Sequence, residues 1–288
     1  MENPYLQAVR HMAQRRTVRN FSQEPIADEV LELILQAGLN TASGGNLQPF
    51  SILVERDKVR SKRLAELLHY PFVANAEVNL LFVLDWHKLA RYSRCRQAPF
   101  VEQRSTSHFF IAWDDTLISA QAVETAAWLC GVGSCFVGHV MDCTRELKQM
   151  YNLPDKTFPV VLLTMGYPKA MPAKPRKLGK EMMVFEGRYP DFTDEQICAA
   201  FDEKYDGRKL AMPQSPQALE NRITAFRRAL LTSYSPEETE TIIAQALERG
   251  YLTEIQRLFG VHYHPDRELG DPLTAQLHSQ GLYPFSQE

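Results

Sequence analysis

"DDTLISAQAVETAAWLC", residues 114–130, is the stretch whose reading decides the fold. Leu117, Ile118, Val123, Ala126, Ala127 and Leu129 recur near the 3.6-residue period of an α-helix. Asp114 is placed to cap this helix and Gly131 to end it. Small residues recur along it, so neighbouring backbone can approach closely. "GSCFVGHV", residues 133–140, follows as a strand bounded by glycines.

Working outward, "FSILVERD" (50–57) reads as a buried strand closed by charge. "EVNLLFVLDW" (77–86) is a stronger strand, and "FPVVLLTMGYP" (158–168) is fully apolar up to its Gly-Tyr-Pro turn. Upstream, residues 2–14 read as a helix with Leu6, Val9, Met12 and Ala13 on one side. A second helix follows "EPIADEV", with Asp28 in its first turn, Val30, Leu31, Ile34 and Leu35 on its apolar face, and Gly38 near its end. Strands separated by helices indicate an α/β or α+β domain. After about residue 205 the chain turns to polar helices with visible caps. One opens at Ser215-Pro216 and runs towards Leu231; another opens at the Ser235–Glu238 capping box and stops near Gly250. The expected organisation is a domain over 1–205 and a helical C-terminal extension over 206–288 that packs on the domain or on a partner.

The 288 residues are 44% apolar and 23% charged, with a net charge of −3, which is ordinary for a globular protein and gives no general affinity for nucleic acid or anionic membranes. No apolar run suits a signal peptide or a membrane span. Five cysteines at irregular spacing fit reduced thiols, so a cytoplasmic protein is expected.

Against that mild acidity, "RRTVRNFSQEP" (15–25) crowds Arg15, Arg16 and Arg19 around Thr17. This is either a solvated helix end or a built anion site. "AKPRKLG" (173–179) sets Lys174 and Arg176 two apart, on one side of an extended segment, as a second anion clamp or a surface loop. "TASGGNLQPF" (41–50) is either a plain connection or a floor for a flat ligand, with Ser43, Gly44 and Gly45 allowing close approach and Asn46 and Gln48 offering amide groups. "CGVGSCFVGH" (130–139) is neither a dinucleotide fingerprint nor a Walker loop, and its cysteines lack metal spacing, so Cys130, Cys135 and Cys143 read as small buried residues. His262, His264 and Asp266 in "HYHPD" read as a surface loop in preference to a metal clip. No metal site is expected.

In chain order these motifs resemble the FMN-dependent nitroreductase / flavin reductase family, and within it the NADPH-preferring, oxygen-insensitive branch. "RRTVRNF" resembles the family's opening Arg-rich motif, "TASGGNLQPF" its Asn-x-Gln-Pro loop, "LISAQAVETAAWLCGVGSCFVGHV" its central dimer helix and exit, and "LLTMGYP" with "KPR" its closing strand and phosphate clamp. The likeness covers about residues 5–205. Gly44-Gly45, His139 and Tyr70 depart from the family pattern, Tyr70 falling where relatives place a flavin-contacting glutamine.

The resemblance implies an α+β fold, with a central mixed β-sheet flanked by helices, in a homodimer that shares two FMN sites. It assigns Arg15, Lys174 and Arg176 to the FMN phosphate, with Thr17 adding a hydroxyl and Arg16 joining the cofactor-binding set. Arg19 is assigned to the pyrimidine edge of the ring. Ser43, Asn46 and Gln48 belong to the ring-contacting loop, Tyr70 to the ring edge, and Phe136, Val137 and Gly138 to the other face. NADPH or NADH is the implied reductant and a small molecule the implied acceptor, in a ping-pong cycle. The competing reading is an FMN-binding sensor or docking protein with little turnover.

Overall fold

The computed structural model describes residues 3–100, 105–263 and 272–285. In chain order the elements are α1 (Pro4–Met12), α2 (Asp28–Leu39), β1 (Phe50–Glu55), α3 (Lys58–Leu68), α4 (Phe72–Asn75), β2 (Val78–Asp85), α5 (His87–Cys95), α6 (Thr106–Leu129), β3 (Gly133–Val137), α7 (Thr144–Tyr151), β4 (Thr157–Gly166), α8 (Asp194–Tyr205), β5 (Lys209–Ala211), α9 (Pro216–Leu230), α10 (Pro236–Arg249), β6 (Tyr251–Thr253), α11 (Glu254–Arg257) and α12 (Pro272–Ser279). They form two compact units, Met1–Lys174 with Pro272–Glu288, and Pro175–Asp271. The units therefore divide at 174/175 and not at 205, where the sequence changes character. The C-terminal segment returns to the first unit because it carries Leu277 and Leu282, both fully buried in that unit's core.

The first unit is built on a sheet of order β1-β2-β4-β3. Its strand pairs are all antiparallel among the described residues, where a mixed sheet was expected. A parallel contact enters through a single bridge, Thr17 to Ser134. β2 and β4 are buried along their whole length, which is why both read as unbroken apolar runs. Alternate residues serve opposite faces. Leu80, Phe82 and Leu84 pack under α2 and α6, while Leu81, Val83 and Leu162 pack with Leu64, Leu68 and Leu147.

Helix α6 begins two turns earlier than Asp114, because Phe109, Ala112 and Trp113 carry the apolar period back to Thr106. Its N-cap is Ser105, whose hydroxyl accepts the His108 N–H at 3.3 Å, and Asp114 lies inside the helix. The face turned to the core carries Ala112, Thr116, Ser119, Ala120, Val123 and Ala127. Leu117, Ile118 and Leu129, which the periodicity counts as lining residues, are exposed together with Phe110 and Ile111. β3 stops at Val137, and Gly138–Cys143 forms a 3₁₀ turn where the strand was read to continue. Cys135 and Cys143 are buried as expected, whereas Cys130 is exposed at the end of α6.

In the second unit β5 and β6 pair antiparallel, with Leu210 opposite Leu252. Phe226 and Leu230 of α9 and Ile243 and Ala246 of α10 close over Leu252. The capping box read at Ser235 is present, and Gly250 ends α10 in the left-handed conformation at φ 73°. Ser215, in contrast, opens α9 without a side-chain cap bond. His264 and Asp266 of the "HYHPD" stretch lie outside the described residues. Among the described residues no helix is long and apolar enough to cross a membrane, and no group of three or more His, Cys, Asp or Glu side chains is placed to hold a metal ion.

Gly133 marks a close approach. A Cβ there would stand 2.7 Å from one Val18 methyl carbon. Gly133→Ala is expected to destabilise the protein by about 1–3 kcal/mol through overpacking. Combined with Val18→Ala it should cost less than the sum of the two single changes, as read by chemical denaturation.

Candidate functional site

The segment 15–22 runs along the edge of the sheet. Val18 donates its N–H to the Ser134 carbonyl at 2.9 Å, and Ser22 donates to the Tyr167 carbonyl at 2.7 Å. This anchoring fixes the register of the basic residues beside β3. Arg15 donates from Nε to the Glu124 carboxylate and from Nη1 to the Thr17 hydroxyl at 3.3 Å. Arg16 donates from Nη1 to the Pro172 carbonyl at 2.7 Å, and its buried Nε makes no hydrogen bond among the described residues. Lys174 reaches back to the Ala13 carbonyl at 2.8 Å. Two side-chain bonds thus bring the stretch 172–174 to the 13–17 segment. Arg176 falls in the second unit, where it donates to the Glu203 carbonyl and the Asp206 carboxylate, both at 3.0 Å.

Further along the segment, the exposed Arg19 guanidinium lies 5.8 Å from the centre of the Phe72 ring. Phe72 packs on Tyr70, and Tyr70 meets His139 edge-on at 6.3 Å. His139 Nδ1 is 2.9 Å from Asp142. A continuous wall therefore links Arg19, Phe72, Tyr70 and His139 at the end of β3. Cys135 is part of its base: burial pushes its thiol up, and the charge of Arg19 pulls the other way. Of the predicted 136–138 contact, Val137 is buried in the core and offers a ligand only its backbone. Phe136 is half-buried and Gly138 exposed.

The 43–48 loop is held elsewhere on α6. The Gly44 N–H donates to both carboxylate oxygens of Asp115, at 3.1 and 3.0 Å. The Ser43 hydroxyl accepts the Gln48 N–H at 3.1 Å, and the Gln48 amide donates to the Leu39 carbonyl at 2.9 Å. Gly45, Asn46 and Gln48 all have positive φ, at 58°, 55° and 48°. Such a conformation is tolerated best by glycine and asparagine, and here the carboxylate and hydroxyl hold it in place. Asn46 is exposed. Beside the loop, Leu47, Trp86, Phe100, Ile111 and Asp115 bound a cavity of about 140 Å³.

Asp115 and Glu124 are nine positions apart (124 − 115) on one helix. At 1.5 Å per residue the loop and the basic segment engage α6 about 13 Å apart. Within one chain the loop and the basic segment are therefore held at separate points of the helix. Asp115 and Glu124 are the residues that sequence reading missed. The available signal was an acid on the apolar, small-residue side of a helix, which folding must compensate.

A sequence profile described as the nitroreductase family matches residues 12–167. The chain belongs to that family. It is 27% identical over 183 residues to an NADPH-flavin oxidoreductase of Vibrio harveyi, covering 63% of this chain and 74% of that protein. It is 27% identical over 190 residues to an oxygen-insensitive NADPH nitroreductase of Salmonella typhimurium, covering 66% and 77%. Its fold is similar to the solved structure of the NADPH:FMN oxidoreductase from Vibrio harveyi complexed with NAD+, with a TM-score of 0.69, 22% identity, and 96% of this chain and 98% of the other covered. The similarity of fold therefore extends past residue 205.

Burial pushes the Asp115 carboxyl above its usual range, against the opposing bond from Gly44. The folded state then holds this proton more tightly than the unfolded chain, so ionising Asp115 costs stability as pH rises above about 3.9, the unfolded value. Asp115→Asn keeps an acceptor for Gly44 and removes the buried charge. Its melting temperature should exceed that of the parent at pH 7, and the gain should vanish below about pH 4.

Proposed function

We propose that this chain is an FMN-dependent NAD(P)H oxidoreductase that reduces nitroaromatics, quinones or flavins, working as a homodimer in the cytoplasm. The observation that carries the reading is the convergence of Arg15, Arg16, Thr17 and Lys174 at one sheet edge in a chain of net charge −3. Three cations and a hydroxyl suit a phosphate dianion, and the bond-free, buried Nε of Arg16 is a donor without an acceptor. The donor set fits the phosphate end of FMN.

Arg15, Arg16, Thr17 and Lys174 hold that phosphate. Arg19, further along the same segment, would supply a positive charge able to stabilise negative charge on the ring system. Gly138 is exposed, and among the described residues only the Met141 terminal methyl lies within 4 Å of the position a Cβ would take, so its backbone is open to a ligand. The chemistry supplied by bound FMN is hydride acceptance from NADPH or NADH, then electron return to the acceptor, in ping-pong order. The protein contributes orientation, electrostatics and access.

The second half of the site comes from a second copy. The loop carrying Ser43, Asn46 and Gln48 is anchored about 13 Å along α6 from the point that holds Arg15, and a two-fold partner would bring its own loop to the basic segment. Phe110, Ile111, Leu117 and Ile118 on α6, with Tyr5, Leu6 and Val9 on α1, form exposed apolar faces of the kind that dimers cover. Five free cysteines suit a reducing compartment.

Anaerobic addition of NADPH should bleach the yellow protein, and a quinone should restore the colour; a yellow protein inert to both nicotinamides would overturn the reading. Arg15→Ala should weaken FMN binding about 10- to 100-fold, the worth of a charge-assisted contact. Arg19→Ala should lower the midpoint potential of the bound flavin more than it weakens binding of the oxidised form, as measured by spectroelectrochemical titration. Native mass measurement should give twice the chain mass.

A further inference from the structure

Glu124 is the most deeply buried acid on α6, with 2% of its side chain exposed. An ionised carboxylate at that depth needs partners. It has three, from three parts of the chain: Arg15 Nε from the basic segment, Gln121 Nε2 at 2.8 Å from its own helix, and the Ser134 hydroxyl at 3.5 Å from β3. Sequence reading singled out Arg15 and passed over the acid that grips it.

The grip is selective. A guanidinium carries five N–H donors in a rigid fork. Glu124 engages Nε and Thr17 engages Nη1, while Nη2 makes no bond among the described residues. Each Nη carries two N–H groups, so with Nε held the edge formed by Nη1 and Nη2 is the one left to meet two oxygens of a phosphate side by side. Arg15 is about one-third exposed, so without Glu124 its long side chain would sample several rotamers.

We propose that Glu124 is a positioning residue for the phosphate-binding Arg15: it fixes the guanidinium by its Nε so that the Nη1–Nη2 edge is presented to the terminal phosphate of the cofactor before the cofactor arrives. The inference rests on the flavin reading above. It assigns Glu124 no contact with the ligand. Its effect reaches only the phosphate, because only the phosphate is held by Arg15.

The test compares FMN with riboflavin, which has the same ring and ribityl chain and no phosphate. Full-length protein stripped of flavin is titrated with each, for the parent, Glu124→Met, Glu124→Gln, Arg15→Ala and the double variant Arg15→Ala/Glu124→Met. Glu124→Met should lower FMN affinity about tenfold, the effect of leaving one long side chain to be ordered on binding, with riboflavin affinity within about twofold. Glu124→Gln keeps the shape and an acceptor for Nε, and should lose about threefold. The double variant should bind FMN no more weakly than Arg15→Ala alone. Should Glu124→Met not fold, Glu124→Gln and its own double variant carry the same comparison. The proposal is overturned by tighter FMN binding without the acid, by equal loss for FMN and riboflavin, or by additive losses in the double variant. A loss at Arg15→Ala with none at Glu124 removes the positioning role and leaves the flavin reading standing. An unchanged FMN-to-riboflavin ratio at Arg15→Ala removes Arg15 from the phosphate, and with it the positioning role of Glu124.

Discussion

A helix of 24 residues with large apolar side chains on both its inner and its outer side asks for cover on both, and α6 is that helix. One side is covered by β2, β4 and α2, which accounts for Ala112, Ala120, Val123 and Ala127 being small or branched: larger residues would hold the sheet away. Gly38 of α2 shows how tight the fit is, since a Cβ there would stand 2.5 Å from a Val123 methyl. The opposite side keeps Phe110, Ile111, Leu117 and Ile118 in solvent in the single chain. Apolar burial at about 25 cal/mol per Å² makes covering such a face favourable.

The same helix also carries the two acids that organise the site. Asp115 holds the N–H of Gly44, and Glu124 holds the guanidinium of Arg15. The loop and the basic segment are therefore hung from one rigid rod at fixed separation. In a two-fold pairing of such rods, each loop can stand opposite the other subunit's basic segment. Dimer formation and cofactor binding would then be one structural event, with the flavin between the two chains.

Electrostatics at the sheet edge is concentrated by this arrangement. Arg15, Arg16 and Lys174 each spend one or more donors on the protein's own carbonyls or carboxylates, and each is placed by those bonds. Donors tied down in advance cost less entropy when an anion arrives. Arg19 is different: it is exposed and leans on the Phe72 ring.

Much of this was legible in the sequence, because much of it is local. The apolar runs of β2 and β4, the period of α2, the capping box at Ser235 and the crowding of Arg15, Arg16 and Arg19 each depend on residues a few positions apart, and each stands in the structure. The family resemblance rests on the same short motifs. What tertiary structure decided lies at long range. Arg15 meets Glu124 across 109 positions, and Gly44 meets Asp115 across 71, so neither pairing leaves a local mark on composition or period. The start of α6 at Thr106, the antiparallel order of the sheet and the return of Leu277 and Leu282 to the first unit follow from which apolar faces find cover. Arg176 shows the difference most clearly. Its spacing from Lys174 is a property of the sequence, but its partner, Asp206, was chosen by the packing of the second unit, where a carboxylate stood within reach.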